Sequence, residues 1–291
     1  MVSINPLKRK KTMKKYIFMA VAGMLALSSC SNDDNDQTTQ NAPRQMTFSA
    51  GYNEGDQMRA TMDFSTKKVS FDANDEISIL SANNTNTKFT TTAGGASATF
   101  TGTATDDSKF YAVYPYTAGL ALSGTTITGI VIPTSQWNAE WAIQSPIQER
   151  SAWDPKAPIA YATTTGSSLQ FHNLCAILKI DFPSSSCSYT LTIDANENLA
   201  GTFSLDTTTG QLTATAGSKS ITVGSSYPNR IKSYGKRHVY VAIAPGTYTS
   251  FHIVAQEMGN KEGHRKASAT FEAGKIYSMG EFYPTPMTHD E

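Results

Sequence analysis

From Met46 onward apolar and polar residues alternate over short runs, and Gly, Pro, Asn or Ser bounds each run. The clearest runs are Ile77-Ser78-Ile79, Phe110-Tyr111-Ala112-Val113-Tyr114, Ile130-Val131-Ile132, Ala176 to Phe182, Tyr189 to Ile193, Val239 to Ile243 and Phe251 to Val254. A period of two, broken by turn residues about every eight to twelve positions, predicts short antiparallel strands stacked as sandwiches. No stretch sustains a helical period. The nearest, Ser135 to Ile147, sets Trp137 and Trp141 four apart, which suits a short helix or a long packed loop. A turn-rich stretch from Thr163 to Ser168 marks an expected boundary between an amino-terminal domain, 46–166, and a carboxy-terminal domain with its tail, 167–291. Each half, at about 120 residues, can hide roughly two-thirds of its unfolded surface around one inter-sheet core. The expected fold class is all-β, with two antiparallel β-sandwich domains.

The residues before Met46 have a different pattern. Lys14 and Lys15 precede an unbroken apolar run from Tyr16 to Leu27, and Ser28-Ser29-Cys30 comes next. That run is much shorter than the roughly 20 residues a membrane-spanning helix needs, so residues 1–29 are expected to be a signal peptide. Met13 opens an equally good signal. The segment Leu27-Ser28-Ser29-Cys30 resembles the lipobox of bacterial lipoproteins, which implies acylation of the Cys30 thiol and Cys30 as first residue of the mature chain. Two or three acyl chains, at about 0.8 kcal/mol per buried methylene, suffice to hold a soluble domain at a membrane. The run Ser31-Asn32-Asp33-Asp34-Asn35-Asp36 has no apolar residue, so residues 30–45 are expected to be an acidic, solvated tether. It is similar to the acidic signal that sends lipoproteins of Bacteroidales-type bacteria to the cell surface.

Composition narrows the function classes. The 24 basic and 24 acidic residues balance, yet six of the basic ones lie before Cys30, so the remainder is mildly acidic. That sign argues against a nucleic-acid partner. Hydrophobic residues at 39% and charged residues at 16% are both low, and Ser, Thr, Asn and Gly fill the gap, as in a secreted surface protein. No catalytic motif is present: there is no His-Glu-x-x-His, no Gly-x-Ser-x-Gly and no Gly-rich phosphate loop. The five histidines, His172, His238, His252, His264 and His289, are scattered. Asp194 to Asn198 begins like a calcium loop, but Leu199 and Leu205 stand where its glycine and bidentate acid belong. No catalytic residue, metal or cofactor is therefore expected. Cys175 and Cys187 are too far apart for a bridge if their strands form one tight hairpin, and come back into reach if the strands lie in different sheets. Trp137, Trp141 and Trp153 concentrate in a proline-rich stretch. They either plug the end of a sandwich or form a stacking surface for a glycan.

Several motifs then occur in a fixed order after Cys30. They are Thr47-Phe48-Ser49-Ala50-Gly51, Met58-Arg59-Ala60-Thr61, Phe71-Asp72-Ala73-Asn74-Asp75-Glu76-Ile77 and Phe110-Tyr111-Ala112-Val113-Tyr114-Pro115-Tyr116. Ile132-Pro133-Thr134-Ser135-Gln136, Leu169-Gln170-Phe171-His172-Asn173-Leu174, Ala244-Pro245-Gly246 and Phe271-Glu272-Ala273-Gly274-Lys275-Ile276-Tyr277 come after them. This order resembles the fimbrillin-like proteins, the pilin subunits of Bacteroidales type V pili, over nearly the whole mature chain. Asn74 departs from the glycine more usual there, which puts that turn in question.

The resemblance implies two transthyretin-like sandwich domains and lipoprotein export to the outer membrane and fimbrium. It also implies loss of an amino-terminal strand to an Arg-specific surface protease and assembly with other pilin subunits by strand addition. Adhesion to a host or bacterial surface ligand is the implied role. The matching cleavage site is Arg59-Ala60; a cut at Arg44-Gln45 would remove only tether. The strand lost would include Met46, Phe48 and Ala50, which alternate as a groove filler should. The donor implied for the next subunit is Tyr277 to Met287, where Pro284 and Pro286 lack backbone donors. A reading from another class is a non-polymerising surface lipoprotein that binds glycans through Trp137, Trp141 and Trp153.

Overall fold

A computed structural model describes residues 42–52, 61–63, 68–137, 150–152, 154, 157–182, 188–224, 231–232, 237–257 and 260–282. Every regular element among them is a strand, as expected of an all-β chain. The first are β1 (Arg44–Tyr52), β2 (Thr61–Asp63), β3 (Lys68–Ser70), β4 (Glu76–Ser81), β5 (Asn84–Thr91), β6 (Ala98–Ala104) and β7 (Phe110–Tyr114). Next come β8 (Ala121–Ser123), β9 (Thr126–Ile132), β10 (Ser135–Trp137), β11 (Arg150–Ala152), β12 (Ala160–Thr164) and β13 (Ser168–Asn173). After these lie β14 (Ala176–Phe182), β15 (Ser188–Asp194), β16 (Ala200–Asp206), β17 (Gln211–Ser218) and β18 (Ser220–Gly224). The last are β19 (Ile231–Lys232), β20 (Arg237–Ile243), β21 (Gly246–Glu257), β22 (Asn260–Phe271) and β23 (Ile276–Glu281).

Two hydrophobic cores organise these strands. Around the first, the strands close in the order β1-β13-β12-β7-β4-β5-β6. The second lies among three further sheets, β10-β18-β15-β21-β22 with β19 attached to β15, β11-β20-β14-β23, and β17-β16-β9-β8. Packing of sheet faces over shared apolar layers is sandwich-like, as the alternation predicts; the closure of the first sheet on itself is additional. Four pairings, β1-β13, β10-β18, β11-β20 and β14-β23, are parallel, where the local pattern suggests only antiparallel neighbours. Parallel partners need long crossovers and leave no turn signature in the sequence.

The expected domain boundary near residue 166 falls between β12 and β13, which are paired staves of the same barrel. The two cores also share strands. In β7 the alternate residues Phe110, Ala112 and Tyr114 enter the first core, while Tyr111 and Val113 enter the second. A strand buried on both faces loses its polar positions, which is why this segment is an unbroken apolar run. Ser78 in β4 is fully buried and is satisfied by accepting the Thr117 N–H at 3.2 Å.

Local chemistry supports the register. Asn74 sits at φ 71°, and Gly274 at φ 73°, so the two similar Phe-x-Ala turns both pass through the left-handed region. Asparagine tolerates that region better than other residues with side chains, so the turn survives the departure from glycine. Asp75 closes it, accepting the Asp72 N–H at 2.8 Å. Gln136 is buried and takes the place of a strand neighbour for β20: its Nε2 donates to the Ala242 carbonyl at 2.6 Å and its Oε1 accepts the Ala242 N–H at 2.9 Å.

Candidate functional site: the leading strand and its groove

β1 is the stave that closes the barrel. It pairs antiparallel with β6 over seven residues, from Arg44 opposite Ala104 to Ala50 opposite Ala98. On its other side it pairs parallel with β13 over four, from Ser49 opposite Ser168 to Tyr52 opposite Phe171. The Ser49 N–H donates to the Ser167 carbonyl at 2.8 Å, extending that seam by one bond. The strand starts at Arg44, before the expected end of the tether at 45: its backbone stands opposite Ala104 in the ladder, and its guanidinium forks onto Asp106 at 2.7 and 2.8 Å. That contact holds the Asp106 carboxyl below its ordinary range, hydrogen bonding being the larger cause.

The side chains alternate as the sequence predicts. Thr47 and Ser49 face solvent, Phe48 and Ala50 are buried, and Met46 and Tyr52 pack at the margin of the first core. Phe48 is 1% exposed, with ring centroids 5.5 Å from Phe89 and 5.2 Å from Phe110. Tyr52 lies 5.1 Å from Phe71 and 5.5 Å from Phe171. Between these aromatic ends Ala50 stands beside Ala98 on β6 and Leu169 on β13. Gly102 on β6, opposite Met46, has no room for a side chain: an added Cβ would lie 2.6 Å from the Phe89 ring and 2.8 Å from the Lys88 carbonyl oxygen. Taking β1 away would therefore uncover aromatic rings and unpaired backbone on both β6 and β13, an edge that soluble proteins ordinarily cover.

The other residues singled out by sequence are placed unevenly. Cys30, Arg59, Ala60, Trp141, Trp153 and Cys187 lie outside the described residues. Trp137 belongs to β10, paired with Gly224 on β18, so the first three residues of the stretch Ser135 to Ile147, expected as a short helix or a long packed loop, are a strand, and residues 138–147 lie outside the described residues; the Trp137 side chain is not described. Cys175 carries a free, fully buried thiol that burial pushes up to about 12, even though β14 and β15 do lie in different sheets. The expected donor segment, Tyr277 to Met287, begins within the fold. Tyr277 to Glu281 form part of β23 against β14, and Phe282 is fully buried in the second core. Apolar residues at 276, 277, 279 and 282 dock there, which the two later prolines do not disclose.

A cleft of about 570 Å³ is a separate candidate contact, lined in part by Asp75, Tyr114, Tyr116, Val131 and Pro133. Val131 is the one large apolar side chain that stands out to solvent among the described residues, at 42% exposed. The Tyr114 hydroxyl donates to Asp75 at 3.1 Å, and burial raises the Asp75 carboxyl above its ordinary range. Sequence reading missed this cleft because its walls come from four separate stretches, at the ends of β4, β7, β9 and β12. Among the described residues no group of His, Cys, Asp or Glu is arranged to hold a metal ion.

Neither a protein-family model nor a curated protein sequence matches the chain. Solved structures do. A Bacteroides ovatus protein provisionally assigned to cell adhesion superposes with a TM-score of 0.51 at 11% identity, over 81% of this chain and 92% of its own. A Bacteroides uniformis protein with the same provisional assignment gives 0.48 at 18% identity, over 80% and 91%. The tip fimbrial protein Mfa3 of Porphyromonas gingivalis, truncated at its carboxy terminus, gives 0.36 at 8%, over 81% and 94%. The chain thus shares the fold of the Bacteroides ovatus protein, all-β and sandwich-like, over 81% of this chain and 92% of the other.

Proposed function

We propose that the chain is a non-catalytic surface subunit of pilus or adhesin type, anchored through Cys30 and assembled by exchange of its leading strand. The observation that carries this reading is β1: the strand nearest the tether is the one that closes the barrel. While β1 fills its groove the subunit is complete and monomeric. A cut between Arg59 and Ala60 by an Arg-specific surface protease separates β1 from the rest of the chain, and an extended segment of another subunit takes its place by strand addition. Arg44 is the poorer target, because its side chain is engaged by Asp106 and its backbone lies opposite Ala104 in the sheet. The fold shared with an adhesion-assigned protein supports the same reading.

The test is amino-terminal sequencing of the protein recovered from intact cells, fractionated by size. The account expects Ala60 as first residue in high-mass assemblies and an acylated Cys30 in the monomer. A population beginning at Cys30 throughout, with β1 retained in every assembled form, would overturn it.

A further inference from the structure

We propose that the cleft bordered by Val131 and Asp75 receives a segment of a basic partner protein, in which an arginine or lysine side chain stands next to an apolar one. The contact lies apart from the groove under β1 and does not depend on the exchange of that strand.

The cleft is preformed. One wall is the turn from Asp72 to Glu76, where Asn74 takes φ 71°. A second is the chain leaving β7. There the Tyr116 N–H donates to the Glu76 carbonyl at 2.8 Å and the Thr117 N–H to the Ser78 hydroxyl at 3.2 Å, so these two walls are tied together. Val131 and Pro133, at the end of β9, supply a third. The volume of about 570 Å³ falls within the roughly 300–1,000 Å³ of ordinary ligand sites. Ile130 and Ile132 are buried in the second core, while Val131 between them is 42% exposed and, with Pro133 and the Tyr116 ring, gives the cleft an apolar side.

The polar side is anionic, with carboxylates at Asp72, Asp75 and Glu76. Lys88 pairs with Glu76 at 3.0 Å and lies 4.5 Å from the centre of the Tyr116 ring. The chain thus seats one cation of its own against a carboxylate and a tyrosine ring that both line the cleft. Asp75 has no such partner among the described residues. Its Oδ2 accepts two neutral donors, the Asp72 N–H at 2.8 Å and the Tyr114 hydroxyl at 3.1 Å, and its Oδ1 accepts none. Burial raises this carboxyl above its ordinary range, and the Asp72 charge acts in the same direction. A cation brought to Asp75 relieves both.

The form of that cation follows from the walls. Among the described residues these carboxylates are not grouped as ligands for a metal ion. An ammonium or guanidinium on a methylene stem suits both sides of the cleft, because the stem packs on apolar groups while the head stays at the carboxylate. An apolar neighbour in the same segment then covers Val131. A neutral sugar could stack on Tyr116 but would leave Asp75 as it is. The chain after Cys30 is mildly acidic, so a second copy brings like charge to an anionic cleft, whereas a basic partner is drawn to it.

The test is ligand-observed NMR titration of the full chain at low salt. The probes are acetyl-Val-Arg-Val-amide, its neutral isostere acetyl-Val-citrulline-Val-amide, acetyl-Gly-Arg-Gly-amide, and maltose as a neutral sugar. The first should bind saturably and the other three at least about tenfold more weakly. Asp75→Asn, which keeps an acceptor for Tyr114, should weaken the first probe at least about tenfold, and Val131→Ser at least about threefold. Glu272→Gln removes an exposed charge that does not line the cleft and should leave binding unchanged. Equal binding by the citrulline peptide or by maltose overturns the proposal, as does a first probe indifferent to Asp75→Asn, or one that fails to bind a chain with a native far-ultraviolet spectrum. Sedimentation of the chain alone reads the remaining occupant: self-association that the first probe dissolves would make it a second copy, and the basic partner would be wrong.

Discussion

Replacing Phe48 with alanine tests whether β1 is energetically separable from the barrel it closes. Phe48 is 1% exposed and makes two close ring contacts, with Phe89 and Phe110, so its removal leaves a cavity the surrounding aromatic side chains cannot easily fill. A buried Phe→Ala change costs about 3–5 kcal/mol. For comparison, the solvent-facing Ser49 hydroxyl contributes a single bond to the Ser167 carbonyl, on the order of 1 kcal/mol. If β1 detaches as a unit, the Phe48 cost falls on its own opening equilibrium. At about 1.4 kcal/mol per tenfold, the amides of β1 that pair with β6 should then exchange hydrogen roughly two to three and a half decades faster. If β1 opens separately, its amides should exchange at a lower opening free energy than those of β4 and β7, whose ladder to one another does not involve β1 and which exchange only through larger openings. Native-state hydrogen exchange monitored by mass spectrometry reads both sets at once. One common opening free energy for β1, β4 and β7 would mean that the barrel opens only as a whole, and the idea of a removable strand would be wrong.

The packing sets three further outcomes. Gly102→Ala forces a methyl group into the Phe89 ring and the Lys88 carbonyl, so the denaturation midpoint should drop by the equivalent of about 1–3 kcal/mol; an unchanged midpoint would show that β5 and β6 can move apart. Gln136→Ala leaves the Ala242 N–H and carbonyl without their partner, and chemical denaturation should show a loss of roughly 1–3 kcal/mol for each group orphaned; wild-type stability would mean another group satisfies them. Asp75→Asn keeps an oxygen acceptor for Tyr114 while removing a charge that burial disfavours. Because the folded carboxyl is raised, its ionisation opposes folding above the ordinary carboxylate range and not below it. The variant should therefore match or exceed wild type in thermal stability at pH 7, with the difference vanishing below about pH 4; a variant less stable at pH 7 than at pH 4, relative to wild type, would reverse that reasoning.

Strands with strong apolar alternation were legible in the chain. β7, β14 and β20 lie where Phe110 to Tyr114, Ala176 to Phe182 and Val239 to Ile243 place them, because each supplies a continuous inward face. β16 and β17 were not, since Thr, Ser, Ala and Gly dominate Gly201 to Ser218 and only Phe203 and Leu205 are fully committed to the core. Which strands become neighbours was also hidden. The seam between Ser49 and Ser168 joins residues far apart in the chain, and nothing local to either encodes a parallel partner. The inward placement of Phe48 and Ala50 could be read from their alternation, whereas their partners, Ala98 and Leu169 across the ladders and Phe89 and Phe110 within the core, emerge only from the fold. That Tyr277 to Phe282, the start of the expected donor segment, pack in this chain's own second core was hidden, because Tyr277, Met279 and Phe282 look as suitable for another subunit's groove.

The most direct measurement locks β1 in place. Thr47 and Thr101 are paired across the β1-β6 ladder, and cysteines at these positions are near enough to bridge. In the Thr47→Cys, Thr101→Cys double variant the account predicts that protein carrying the oxidised bridge is cut by the Arg-specific protease, keeps β1, and stays out of assemblies, while reduction releases β1 and restores incorporation. Incorporation by the bridged form at the wild-type level would contradict the claim that β1 must leave its groove.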